Sequence, residues 1–132
     1  MNNQELEKKV IESGKKILQK KGWFCATDIL LELKILSKEN YENWRFGKIR
    51  YLEKVCDMNL SKLTLINKTI QRLSKELELN ESWTFYKQYG RKGKGLIKLR
   101  FSKSGKEDIE KRYATHYIDI KRRNLKAANA SV

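Results

Sequence analysis

The sequence contains no proline, two cysteines and one histidine in 132 residues. Proline interrupts helices and stiffens linkers, so its absence fits a helix-rich chain. Cys25 and Cys56 lack CxxC spacing, and with His116 alone they cannot complete a common zinc set. We therefore predict no metal site and no cofactor, and we interpret both cysteines as buried thiols in a reducing cytosol.

Long apolar runs are also missing. No stretch reaches the roughly 18 apolar residues that a membrane span needs, and the N-terminal MNNQELEKK lacks the apolar core of a signal peptide. Hydrophobic residues make up 39% and aromatic residues 10% of the chain, which excludes a disordered polycation. We expect a globular cytoplasmic protein with no membrane partner.

Acidic residues are scarce relative to basic ones, with 16 Asp and Glu against 30 Lys and Arg, for a net charge of +14. Residues 83–132 hold 14 basic and 4 acidic residues, whereas residues 1–82 hold 16 and 12. The positive field therefore belongs mainly to the C-terminal part. It predicts a polyanionic partner, with nucleic acid first and an acidic membrane or protein surface second.

Residues 59–79 carry the clearest helical pattern. Apolar side chains recur there at steps of three and four, at Leu63, Ile66, Ile70, Leu73 and Leu77. The opposite face carries types that contact phosphates and base edges: Ser61, Lys62, Thr64, Lys68, Gln71 and Arg72. An ordinary solvated helix face shows the same pattern, so that alternative stays open.

Shorter elements precede this helix. We predict a helix over 3–21 capped by Gly22, a short strand at 23–26, a helix capped by Thr27 or Asp28, and a helix capped by Ser37. A compact helix is expected over 48–56. Helix 3–21 has an apolar stripe that supports the hypothesis of a homodimer.

After residue 82 the period changes from 3.6 to 2, which predicts a β-hairpin over 83–102. Its buried face should hold Ile97, Leu99 and Phe101 opposite Trp83 and Phe85. Tyr86 would then lie on the outer face, where it could stack on a base. Cations cluster at the glycine-containing tip and the neighbouring strand: Arg91, Lys92, Lys94, Lys98, Arg100 and Lys103. We expect them to anchor phosphates.

The fold class predicted is mainly α with a C-terminal β-hairpin, an α+β domain over 1–120 followed by a basic flexible tail at 121–132. Residues 106–113 should be helical. Helices followed by a hairpin with a basic tip resemble a winged helix-turn-helix, and the apolar spacing from Leu52 to Ile66 resembles its central motif. The resemblance implies that helix 59–79 enters the major groove of DNA while the hairpin, as the wing, lies along the backbone.

Three stretches, WRFG at 44–47, LRFSKSG at 99–105 and YATHY at 113–117, resemble a set of small bacterial proteins of unassigned activity. This resemblance spans about residues 22–118. It implies a bacterial, phage or plasmid origin and carries no activity with it.

We therefore predict a DNA-binding protein that acts as a transcription regulator or accessory factor, with DNA favoured over RNA. One alternative is an RNA-binding or RNA-processing protein, a nuclease with His116 as its general base. A hydrogen-bonded structural role for His116 is the simpler interpretation, so catalysis is not predicted. Another alternative is a basic inhibitor that binds an acidic protein.

Overall fold

The computed structural model describes residues 1–83, 85–90 and 97–121. The elements in these ranges are α1 Asn3–Lys21, β1 Trp23–Cys25, α2 Ala26–Glu32, α3 Lys38–Arg45, a 3₁₀ helix Leu52–Val55, α4 Leu60–Glu76, β2 Asn80–Trp83, α5 Glu107–Ala114 and β3 Thr115–Ile118. The predicted combination of mainly helical structure with a small β component is confirmed. The predicted hairpin tip with Arg91, Lys92 and Lys94, and the tail from 122 onward, lie outside the described residues.

Helix α1 begins and ends as predicted. The Asn2 side chain accepts a hydrogen bond from the Glu5 N–H at 2.8 Å, and Gly22 closes the helix with a φ of 79°. A left-handed residue of this kind favours glycine, because other side chains are strained there. The apolar stripe with Leu6 and Val10 is buried inside the chain, with α4 as the main neighbour. This stripe is therefore not exposed for the predicted homodimer.

Helix α4 confirms the 59–79 prediction except at its end. The Asn59 side chain accepts the Lys62 N–H at 2.9 Å and caps the first turn. The predicted stripe is buried from Leu63 to Leu73, but Leu77 lies beyond the last helical residue and is 38% exposed. The left-handed backbone at Glu78, with φ 53°, turns the chain toward β2.

The predictions for the N-caps of α3 and α2 had different outcomes. Ser37 caps α3 as predicted, since its Oγ accepts the Asn40 N–H at 3.1 Å. For α2 the prediction of Thr27 or Asp28 was wrong, because the capping residue is Cys25. Asp28 stands three positions later and accepts the Cys25 N–H at 3.1 Å, as the acidic residue of a capping box does.

The prediction of a compact helix over 48–56 was wrong. Only Leu52–Val55 is helical, and as a single 3₁₀ turn. The N–H groups of Leu52 and Glu53 donate to the carbonyls of Arg100 and Phe101 at 3.2 and 2.9 Å. Because these two N–H groups bond to residues 100 and 101, they do not form the hydrogen bonds of a first helical turn.

The hairpin predicted over 83–102 is only partly present. Strand β2 ends at Trp83, which pairs with Thr115 of β3 and not with the described residues 97–102. The three strands form an antiparallel sheet in the order β1-β3-β2. Within 85–102, the described residues form one bridge between Lys87 and Lys98, flanked by hydrogen bonds from Gln88 N to Ile97 O and from Leu99 N to Tyr86 O.

An aromatic cluster joins this short hairpin to the helices. Trp44 is fully buried, its indole N–H donates to the Arg100 carbonyl at 2.8 Å, and its ring lies 4.9 Å from Phe101. Phe101 in turn stacks on Tyr113 at 5.3 Å. Residues 100–101 are thereby fixed beside α5 and the 3₁₀ turn.

Candidate nucleic-acid interface

The polar face predicted on α4 is a continuous stripe at the surface. Ser61, Thr64, Lys68 and Arg72 are exposed, and Gln71 is half-buried. The Thr64 hydroxyl donates to the Leu60 carbonyl at 2.9 Å, as a helical threonine commonly does. From Leu60 to Lys75 the helix contains no acidic residue. A phosphate approaching the stripe therefore meets no carboxylate of α4 before Glu76.

Two of the predicted cations on α4 already have partners on α1. The Lys62 ammonium donates to Asn3 Oδ1 at 2.5 Å and to the Met1 carbonyl at 3.2 Å. Arg72 lies 3.8 Å from the Glu7 carboxylate. Both side chains are thus partly engaged by α1, and Lys68 is the cation of the predicted set on α4 without such a contact among the described residues.

The described hairpin cations have different roles. Lys98 is exposed, with its ammonium 5.5 Å from the centre of the Phe85 ring. Arg100 is half-buried, and its guanidinium donates to the carbonyls of Ser102, at 2.8 Å, and Lys103. Arg100 therefore shapes the following loop. Lys103 is exposed, so its ammonium is presented to solvent.

Tyr86 does not lie on the outer face, so the predicted stacking role for it was wrong. Its side chain is 9% exposed, and its Oη lies 3.0 Å from His116 Nε2 and 3.5 Å from Cys25 Sγ. The alternation of side chains is shifted relative to the prediction, because Tyr86 packs into the aromatic cluster beside Trp44. Phe85 consequently faces outward.

His116 is half-buried and stacks on Trp23 at 4.7 Å. Burial lowers the pKa of the imidazole, Lys21 acts in the same direction and Asp28 opposes it. The neighbouring Cys25 is buried, and desolvation raises the pKa of its thiol, which keeps it a weak nucleophile. The Tyr86 hydroxyl thus joins the hairpin to His116 of β3 and to Cys25 of β1.

A groove of 460 Å³ lies between α4, the 102–104 loop and α5. It brings together Thr64 from the predicted helix set and Lys103 from the predicted hairpin set. Arg112 in the last turn of α5 also lines it, and the guanidinium has no ion pair among the described residues. Arg112 was missed because its position next to Thr64 depends on how α5 packs. The adjacent basic residues Lys111 and Arg112 were the feature of the sequence that could have indicated it.

The loop that carries Lys103 is held by buried hydrogen bonds. The N–H groups of Phe101 and Ser102 donate to the two carboxylate oxygens of Glu110 at 2.8 and 2.7 Å, and the Ser102 hydroxyl donates to Glu110 as well. Glu53 accepts the Lys103 N–H at 2.8 Å through one oxygen and the Tyr113 hydroxyl at 2.6 Å through the other. Lys103 therefore projects from a fixed backbone.

Glu53 and Glu110 thus act as acceptors for neighbouring backbone and hydroxyl donors. Across residues 1–83, 85–90 and 97–121, no three His, Cys, Asp or Glu side chains are grouped as a metal ion requires. In the same ranges no helix is long and apolar enough to cross a bilayer. Comparisons with protein-family models, with curated proteins and with solved structures gave no match.

Proposed function

We propose that the protein binds nucleic acid, with duplex DNA as the favoured target, through the α4 stripe and the groove beside it. The observation that carries this proposal is the meeting of Thr64, Lys103 and Arg112 in one groove next to a helix that lacks acidic residues as far as Lys75. Glu53 also lines the groove, where its carboxylate accepts the Lys103 N–H and the Tyr113 hydroxyl. Hydroxyl and cationic side chains arranged in this way contact phosphates, while an exposed helix face can contact base edges.

The order of the elements supports the winged-helix part of the proposal. Strand β1 lies between two helices and pairs with the last strand, β3, while α4 leads into β2, the other partner of β3. In this interpretation α4 is the recognition helix, and β2 and β3 replace 83–89 and 96–102 as the paired strands of the wing. The protein would then act as a regulator or an accessory factor.

The test is the binding of fluorescently labelled duplex DNA, single-stranded DNA and duplex RNA, followed by anisotropy at several salt concentrations. A triple variant, Lys68→Ala, Lys103→Ala and Arg112→Ala, removes three cations from the stripe and the groove. We expect its affinity for duplex DNA to fall at low salt, and the slope of log K against log salt to flatten by about one unit per lost phosphate contact.

The matched control removes three exposed lysines away from the groove, by Lys8→Ala, Lys15→Ala and Lys38→Ala. It changes the net charge by the same amount, so it should weaken binding far less. Equal losses in the two variants would mean that only the overall charge matters. No binding to any of the three probes would overturn the proposal and favour an acidic protein as the partner.

A further inference from the structure

Two large aromatic side chains at the end of β2 are exposed. Trp83 is 50% exposed and Phe85 is 36% exposed. They form a cleft of 100 Å³ whose other apolar walls are Phe101 and Ala114. Neighbouring exposed apolar side chains of this size are typical of an interaction site, because a soluble chain gains little by leaving them in water.

Two lysines lie beside the aromatic rings of this cleft. The Lys111 ammonium lies 5.3 Å from the Trp83 ring centre, and the Lys98 ammonium lies 5.5 Å from that of Phe85. Both lysines are exposed, and neither has an ion pair among the described residues. Glu107 also lines the cleft, whereas the Glu110 carboxylate is occupied by Phe101 and Ser102. The formal charges of these four side chains cancel, but Lys98 and Lys111 lie beside the rings, where they can meet the phosphates of a stacked nucleotide.

Aromatic rings flanked by cations are what proteins use to hold single-stranded nucleic acid, because each base stacks on a ring while its phosphate meets a cation. An apolar protein segment would use the rings but would leave the lysines without a partner. A paired base within a duplex is already stacked on its neighbours and is not free to enter a cleft. The chemistry of the cleft thus favours an unpaired nucleotide.

The position of the cleft relates it to the groove described above. Helix α5 forms one wall of each: Ile109 and Arg112 line the groove, and Lys111 and Ala114 line the cleft. A nucleic-acid strand whose phosphates contact Arg112 would therefore lie within one helix width of the aromatic pair.

We propose that the Trp83–Phe85 cleft stacks an unpaired base of the nucleic acid whose backbone the groove binds. This inference rests on the proposed function and deepens it, since the preferred ligand is then a nucleic acid with unpaired nucleotides beside a duplex. Trp83 and Phe85 bind the base, and Lys98 and Lys111 exchange their contacts with the rings for contacts with the flanking phosphates.

The experiment compares a blunt DNA duplex, the same duplex with a short thymidine overhang on either strand end, and a thymidine oligonucleotide, using the full chain. We expect an overhang to raise the affinity of the wild-type protein. Trp83→Ala should lower the affinity for the overhang duplex and the oligonucleotide about tenfold, a typical loss for one stacked base, and leave the blunt duplex unchanged. Phe85→Ala should act in the same direction.

Two further variants separate stacking from folding. Trp83→Phe keeps a ring and should retain most of the affinity. The quenching of tryptophan fluorescence by the oligonucleotide should be largely lost, because Trp44 is buried and Trp23 stacks on His116 away from the cleft lining. Phe46→Ala removes an equally exposed aromatic residue, also 50% exposed, that does not line the cleft and should change no affinity. Circular dichroism verifies that all variants are folded.

The outcomes distinguish this inference from the proposed function. If the blunt duplex binds but the overhang adds nothing, or if Trp83→Ala and Phe46→Ala behave alike, the cleft does not stack a base while the groove still binds DNA. If none of the probes binds, both proposals fail together.

Discussion

The helix pair α1–α4 and the 97–106 segment are held in place in different ways. Leu6 and Val10 of α1 and Ile66 and Leu73 of α4 are buried, and the backbone hydrogen bonds of both helices are internal. Apolar burial at about 25 cal/mol per Å² is the main stabilising term for such a pair. Its structure follows from a pattern that is contained within each helix.

The 97–106 segment belongs to no helix or strand, and its backbone hydrogen bonds to residues 52–53 and 86–88 are supplemented by side chains. The Trp44 indole donates to the Arg100 carbonyl, the Arg100 guanidinium donates to two carbonyls that follow, and Glu110 accepts two backbone N–H groups. A buried backbone group without a partner is costly, so each of these side chains is specific in type. The comparison indicates that the helix pair tolerates apolar exchange better than the loop tolerates the loss of one polar group.

Removal of the Glu110 carboxylate should have the largest effect on stability. Glu110→Ala leaves the buried N–H groups of Phe101 and Ser102 without an acceptor, each at a cost of about 1–3 kcal/mol. We expect the free energy of unfolding to fall by about 3 kcal/mol in chemical denaturation. Glu107→Ala, at an exposed position one turn earlier on α5, is the matched control and should change little. Similar effects of the two variants would show that Glu110 does not hold the loop.

The stability of the α1–α4 pair is most sensitive to added side-chain volume at a close contact between the helices. Gly14 of α1 faces α4, and a Cβ there would lie 2.8 Å from Leu73 Cδ2 and 3.6 Å from the Phe24 ring. Alanine is favoured over glycine in a helix by about 1 kcal/mol, whereas overpacking a core costs about 1–3 kcal/mol. Gly14→Ala should therefore destabilise the protein by about 1 kcal/mol in thermal or chemical denaturation.

A double-mutant cycle identifies the cause of this loss. Leu73→Ala opens space at the contact, so Gly14→Ala introduced into that variant should raise its stability through helix propensity. A loss of stability in both backgrounds would mean that Leu73 is not the side chain that the new methyl group meets.

The same contrast explains which parts of the fold could be predicted from the sequence. The bounds of α1, the Asn59 start of α4 and the Ser37 cap depend on residues within one or two turns, so the sequence pattern was sufficient. The 48–56 segment reads as helical by its apolar spacing, yet its backbone N–H groups at Leu52 and Glu53 bond to residues about fifty positions away. No local pattern contains that information.

The predicted pairing of Trp83 with the strand from residue 96 onward was wrong for a related reason. Trp83 and the residues from 96 onward are close in sequence and rich in β-forming types, but β2 bonds to β3, which follows α5. Tyr86 is buried and Phe85 is exposed, the opposite of the prediction. Phe85 therefore replaces Tyr86 as a candidate for base stacking. On α4 the exposed residues were predictable, whereas the groove with Lys103 and Arg112 depends on the packing of α5.

His116 lies outside both regions, on β3, and its ring bonds to Tyr86 of the hairpin. Partial burial holds the pKa of the imidazole below its ordinary value in the folded chain. As pH falls, the unfolded chain therefore takes up its proton first, and the free energy of unfolding decreases between the ordinary pKa of histidine and the lower folded value. This contribution is fully present above that window. We expect the melting temperature to fall from pH 7 to pH 5, by the smallest effect of the three, and to fall less in His116→Gln. An equal fall in that variant would assign the pH dependence to the carboxylates instead.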